Sequence, residues 1–244
     1  MTRSHLLHAC ALATFALVGC SSNDPAPTDG GVAAKVIAPT ASIDGKTYAQ
    51  QSAAWWQWAI PLPKATSPIA GGDCTQGQSG NVWFLAGTSD GKPAVRTCTI
   101  PAGKTLFFPL INGICYPCHE EEGCSTSKTK AELETCVKYD ATNLSLEIDG
   151  VAQTNLAAHR VTSDQFSFKG PSTGGMFACT GPIGDNTCGI PKGDRFGVSD
   201  GYWIAVEPLS AGTHTLKFKA TYPGDGTAAS PDFVQDVQYT LTVN

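Results

Sequence analysis

Beyond its first twenty residues the sequence has no apolar run long enough to cross a bilayer as a helix, which takes about 20 residues. It also has no surplus of basic residues, since 16 Lys and Arg stand against 21 Asp and Glu. Lys128, Lys130, Lys217 and Lys219 are scattered and offset by acids, so the basic stripe that a nucleic-acid partner needs is missing and no such partner is expected. Histidine is scarce. The five histidines include no His-x-His pair, which excludes the metal site of the cupin jelly rolls, and no His-Glu-x-x-His stretch occurs for a zinc protease. Gly77-Gln-Ser-Gly80 lacks the closing glycine of a nucleophile elbow.

The start of the chain is distinctive. Met1-Thr-Arg-Ser-His5 carries one fixed positive charge and leads into an apolar run from Ala9 to Val18, the pattern of a signal peptide over residues 1–19. Its end, Leu17-Val-Gly-Cys20, resembles the bacterial lipobox, in which the cysteine sulfur accepts diacylglycerol. The resemblance implies a chain that begins at a lipidated Cys20 and is anchored in a membrane. Ser21 follows where an aspartate would mark inner-membrane retention, which implies the outer membrane. Each buried methylene of the acyl chains adds about 0.8 kcal/mol, and two chains suffice for durable anchoring. Residues 20–40 are polar and rich in Pro and Gly, without apolar periodicity, and are expected to form a lipid-anchored flexible tether. Residues 41–244 are then expected to form a single domain. Loss of residues 1–19 removes one basic and no acidic residue, leaving 15 against 21 and a net charge of −6.

Ten cysteines are present. Cys10 leaves with the signal and Cys20 is assigned to the lipid, so Cys74, Cys98, Cys115, Cys118, Cys124, Cys136, Cys179 and Cys188 remain. An even number in an exported chain implies disulfides. Cys179 and Cys188 flank a Gly-Pro-Ile-Gly-Asp-Asn turn and are expected to pair. Cys74 with Cys98 would tie a loop to a strand, and the cluster from Cys115 to Cys136 would pair within itself.

Short β-branched and aromatic runs recur between turn signals, at residues 82–86, 94–100, 106–111, 144–148, 159–168, 202–207, 215–220 and 234–243. The last alternates apolar Val237, Tyr239, Leu241 and Val243 with polar neighbours, as an antiparallel strand with one wet face should. Leu144, Leu146 and Ile148 repeat the pattern before an Asp149-Gly150 turn. The expected fold is all-β: a disulfide-braced antiparallel β-sandwich or jelly roll. Two short helices are expected, at Tyr48–Ala59 and at 129–139, the second with Thr129 as N-cap and Glu132 as its reciprocal partner.

Three segments bear on function. Trp55-Trp-Gln-Trp58 holds three of five tryptophans, and indole faces stack on sugar rings, which makes Trp55, Trp56 and Trp58 candidate glycan contacts. Against this, adjacent helical residues point in different directions, and packing of two of them on the sandwich is the plainer expectation. Cys115-Tyr-Pro-Cys118-His119 spells the c-type haem attachment motif, with Met176 as a possible second axial ligand. Its β-rich setting and the nearby Cys124 favour disulfides over covalent haem, and over zinc. Glu120–Glu122 lacks the alternating ligands of a calcium loop. For hydrolysis, His159 or His214 with a serine and Asp164 or Asp200, or paired carboxylates among Glu147, Asp149, Asp200 and Glu207, can be written on paper, with nothing local to select them.

Gly45-Lys-Thr-Tyr48, Trp55–Trp58, Val82-Trp-Phe-Leu-Ala-Gly87, the run from Cys98 to Pro109 and Asp200-Gly-Tyr-Trp203 together resemble a group of secreted bacterial proteins that carries no assigned activity, over most of residues 44–220. The resemblance implies one secreted domain and transfers no catalytic residue or cofactor. The resulting expectation is a cell-envelope lipoprotein that binds or organises something, an envelope or extracellular polysaccharide first, without a cofactor. The alternatives are a carbohydrate-active or other hydrolase, and an electron carrier with covalent haem.

Overall fold

The computed structural model describes residues 34–117, 129–172, 174–178, 189–190, 192–228 and 230–244. Their elements run in the order α1 (Tyr48–Ala59), β1 (Val82–Phe84), β2 (Ala94–Ile100), β3 (Thr105–Cys115), α2 (Lys130–Val137), β4 (Thr142–Ile148), β5 (Val151–Ala152), β6 (Arg160–Thr162), β7 (Phe166–Gly170), β8 (Gly193–Val206), β9 (Gly212–Tyr222) and β10 (Phe233–Val243). Among the described residues the strands form two five-stranded sheets. One runs β1-β3-β8-β6 with β7 also on β8, and the other runs β2-β10-β9-β4-β5. The fold is all-β.

The inner faces of the sheets meet in one apolar core. Leu106, Phe108, Leu110, Ile204 and Val206 of the first sheet pack on Leu146, Ile148, Leu216, Phe218, Tyr239 and Leu241 of the second. The alternation read in β10 and β4 is this inward set. The first sheet is covered on its other face too, by α1: Trp55, Trp56, Trp58, Ala59 and Ile60 pack against Phe107, Trp203 and Ala205. Burial on both faces explains why β3 and the second half of β8 are nearly continuous apolar runs, whereas β9 and β10 alternate. Helix α1 starts at a capping box in which Thr47 Oγ1 accepts the Gln50 N–H and Gln50 returns the bond to the Thr47 N–H. Thr129 and Glu132 form the same device at α2. At the β4–β5 turn, Asp149 and Gly150 both take positive φ, 51° and 78°.

Some expectations are revised. The sheets are mixed, because β1 pairs parallel with β3 and β2 parallel with β10. The run at 159–168 is interrupted, giving β6 and β7 as two short strands on β8. The tether cannot extend to residue 40, since Lys35 to Ile37 lie along the end of β8: Val36 bridges Val206, the Ile37 N–H donates to Ala205 O at 2.8 Å, and the Glu207 N–H donates to Lys35 O at 2.9 Å. Val36 packs against the core between the sheets and Ile37 against the α1 side of the first sheet.

Two disulfides are present among the described residues. Cys74 joins Cys98, linking the loop before β1 to β2, and Cys115 joins Cys136, linking the end of β3 to α2. Cys20, Cys118, His119, Cys124, Cys179 and Cys188 lie outside the described residues, as do residues 1–33, where the signal peptide is expected.

Candidate functional site

The tryptophans do not form a binding platform. Trp55, Trp56 and Trp58 are 3%, 6% and 8% exposed. Each indole N–H is used internally: Trp55 donates to Leu85 O at 2.9 Å, Trp56 to Ser199 Oγ at 3.1 Å and Trp58 to Gln76 O at 2.8 Å. Trp55 sits edge-on to Trp56, Trp58 and Trp203, with centroids 5.1 to 5.6 Å apart. The helix points the three rings in different directions, yet all meet protein, because the β3–β8 face and the loop before β1 surround the helix. The large apolar area of tryptophan is spent on the core.

The haem reading loses its first ligand. Cys115 Sγ is bonded to Cys136 and therefore has no thiol to add to a vinyl group. Met176 packs against the α1 side of the first sheet.

The hydrolytic candidates separate into structural contacts. His159 is buried and its Nδ1 lies 3.2 Å from Trp203 O; burial depresses its pKa, only partly offset by that carbonyl. Asp200 is fully buried, receiving Arg160 Nε at 3.0 Å and Thr162 Oγ1 at 2.7 Å. Glu147 pairs with Lys217 at 3.0 Å and Glu207 with Lys35 at 2.7 Å. Asp164 approaches Lys130 at 4.0 Å.

One constellation has the outline of a Ser-His-Asp triad. His214 Nδ1 is 2.7 Å from Asp149 Oδ2, and Nε2 is 3.4 Å from Ser210 Oγ. But Nε2 lies closer, at 2.9 Å, to the Ser210 carbonyl oxygen, which only accepts. Both ring nitrogens thus face acceptors. Burial lowers the His214 pKa, and the carboxylate and carbonyl outweigh it and hold the pKa above 6.5. Nε2 is set to donate to the Ser210 carbonyl oxygen and so presents no lone pair to the serine hydroxyl. The group instead clamps the β4–β5 turn to β9, where Asp149 Oδ1 also accepts the Thr215 N–H at 2.7 Å.

Attention to histidines and carboxylates passes over two Gly-x-Ser-x-Gly matches, Gly87-Thr-Ser-Asp-Gly91 and Gly197-Val-Ser-Asp-Gly201. Neither stands on the strand–turn–helix that exposes a nucleophile. Ser199 is fully buried within β8, its hydroxyl accepting from Trp56, and Ser89 lies in the loop between β1 and β2.

What remains open is a groove beside β2. It encloses about 1090 Å³ and is lined by Pro68–Thr75 on one side and by Ala94–Thr99 on the other. Nothing in the composition of β2 marks it as a site; its place at the end of the second sheet does. The Pro68–Thr75 wall is fixed twice to the inner face of β2, by the Cys74–Cys98 disulfide and by Arg96 Nη2 donating to Ile69 O at 3.0 Å. Arg96 Nη1 donates to Ala86 O at 2.9 Å and to Tyr239 Oη at 3.1 Å. These bonds occupy three of five guanidinium N–H groups, and no described carboxylate pairs with the charge. The acids lining the groove are engaged: Asp73 caps the Thr75 N–H and hydroxyl, and Asp90 lies 3.6 Å from Lys92. A smaller pocket of about 180 Å³ shares Ile69, Thr88 and Ser89 with the groove and is lined by Trp55, Trp56, Phe177 and Phe233. Asn112 Nδ2 in its wall is buried and bonded to no described residue. Among the described residues no three His, Cys, Asp or Glu side chains gather as a metal site, and no helix is long and apolar enough to cross a membrane.

No family model matches the chain, and no curated protein matches it. A solved structure, the solution structure of Amebosin, aligns with 68% of this chain and 100% of its own at 11% identity and a TM-score of 0.18, and carries no argument about fold or function.

Proposed function

We propose that the protein is a binding module of the bacterial cell envelope, held there by a lipid on Cys20, and that the groove beside β2 receives its ligand. The observation that carries this reading is the groove itself: a concavity at the upper end of the volumes typical of ligand sites, with a braced wall and a guanidinium that no described carboxylate neutralises. Binding is preferred to catalysis because the candidate acids and bases are committed to ion pairs, caps and the His214 clamp. The lipobox and the following Ser21 support an outer-membrane anchor.

The test is co-sedimentation with isolated cell envelopes of residues 21–244 exported behind a cleavable signal, which carry no lipid of their own, comparing that chain with its Thr97→Trp variant. Thr97 is exposed on β2 and lines the groove, so an indole there fills the site without entering the core. Retention is expected to fall about tenfold, roughly 1.4 kcal/mol, with the melting temperature unchanged. Equal retention of both proteins would place the ligand elsewhere.

A further inference from the structure

Glutamine side chains close the open main-chain groups of this fold at several places. Phe84, the last residue of β1, turns its N–H and C=O away from β3. Gln78 takes both, accepting the N–H at 3.0 Å and donating to the carbonyl at 2.7 Å. Gln57 donates to the Ser167 carbonyl of β7 at 2.8 Å, and Gln235 brackets Thr88 in the same two-bond way, at 2.7 and 2.6 Å. A primary amide presents one donor and one acceptor side by side, as a neighbouring strand would.

Among the described residues strand β2 has no such cover. It is the outermost strand of its sheet and seven residues long, against three in β1 and two in β5. The Asn244 N–H donates to the Ile100 carbonyl at 3.1 Å, so Ile100 turns its main-chain polar groups toward β10. In a parallel ladder this orientation alternates, which directs the N–H and C=O of Val95, Thr97 and Thr99 outward. No described residue donates to or accepts from these six groups. The Cys98 sulfur lies 4.0 Å from Thr99 O, but as a disulfide it has no proton to give. Val95 is 79% exposed, the highest value among the described large apolar residues. Folded proteins blunt such edges with charge, bulges or a covering element. Here the edge instead forms one side of the groove.

Building on the groove as the ligand site, we propose that its ligand is an extended polypeptide segment that adds to the second sheet as a strand against β2. Val95 to Thr99 matches about five residues of extended chain, roughly 17 Å at the strand rise. The Pro68–Thr75 wall lines the groove opposite Ala94–Thr99. A second copy of this chain would have to bring its own β2 with the same wall attached. The two unused N–H groups of Arg96, with Lys64 on the groove wall and likewise without a described carboxylate partner, select acidic side chains on the incoming segment.

The experiment uses the whole exported chain and a panel of capped heptapeptides alternating Val or Thr with Glu, each with an analogue N-methylated at alternate residues. Amide hydrogen exchange is read residue by residue. Panel peptides are expected to slow exchange at Val95, Thr97 and Thr99 by about tenfold or more, the N-methylated analogues to have no effect, and Glu→Gln peptides to bind more weakly. Thr97→Pro removes an outward N–H and no bond to β10, a placement that edge strands tolerate. It should fold normally and lose the peptide. Equal slowing by the methylated analogues, undiminished binding to Thr97→Pro, or no slowing by any panel member overturns the proposal. Uronate-bearing or neutral oligosaccharides that shift the same amides while peptides do not would refute strand docking and keep the groove as a site. Silence toward peptides and sugars alike would remove both. Protection that grows with protein concentration alone would mark the edge as a self-association surface and contradict the proposal.

Discussion

Individual side chains here are more structural than their chemistry suggests. Trp55, boxed by Trp56, Trp58 and Trp203, is a core residue, and Trp55→Ala should cost about 3 to 5 kcal/mol in chemical denaturation. A Trp55→Ala protein of native stability that loses a polysaccharide ligand would return the tryptophans to the binding face. His214 supplies a pH signature. Its folded pKa is raised, so its contribution to stability is complete below the ordinary value of 6.5 and is lost as pH rises through the folded value. The stability gap between the native chain and His214→Gln should therefore be widest in mild acid and shrink in mild alkali; a gap that widens with pH would contradict the clamp. Sequence alone placed His214 and Asp149 among the candidates but not together, because a contact between residues 65 apart depends on the β4–β9 register. The Asp200-Gly-Tyr-Trp203 stretch has packing roles. Asp200 is buried under Arg160, Trp203 stacks on Phe107, and a Cβ on Gly201 would stand 2.6 Å from Ile111 O.

Among the elements, those with a local signal were legible. Helix α1 ends where its pattern ends, at Ala59, α2 begins at its capping box, and β2 spans the run from Ala94 to Ile100. The first half of β8 was missed because Gly193, Asp194, Arg195, Gly197, Ser199 and Asp200 break any apolar period; neighbouring strands hold it, not propensity. The parallel pairing of β2 was equally hidden, since a strand's composition does not report its partner's direction, and with it the groove was hidden. The Cys74–Cys98 link was legible as a loop-to-strand tie. Replacing both cysteines with alanine should cost about 3 kcal/mol for a loop of this length and release the groove wall. Thermal unfolding of the double variant checks the first effect, and accelerated exchange over residues 68–75 the second. Unchanged exchange there would show that Arg96 alone holds the wall.

The whole molecule joins two parts that the sequence reports unequally. The proposed address rests on a local motif: if Leu17-Val-Gly-Cys20 is a lipobox, Cys20→Ala abolishes incorporation of labelled palmitate, and labelling of that variant would refute the anchor. The ligand is not written locally, since the groove arises from strand order, a cross-linked wall and an uncapped edge that bring residues 64 to 99 together with Met176, Tyr239 and Thr242. The measurement that tests this account most directly is amide exchange on the native chain in intact cell envelopes against the same chain purified. The account predicts slowed exchange in the envelope at Val95, Thr97 and Thr99, with the solvent-facing side of β5 unchanged. Equal exchange at β2 in both settings, or protection confined to another surface, would contradict it.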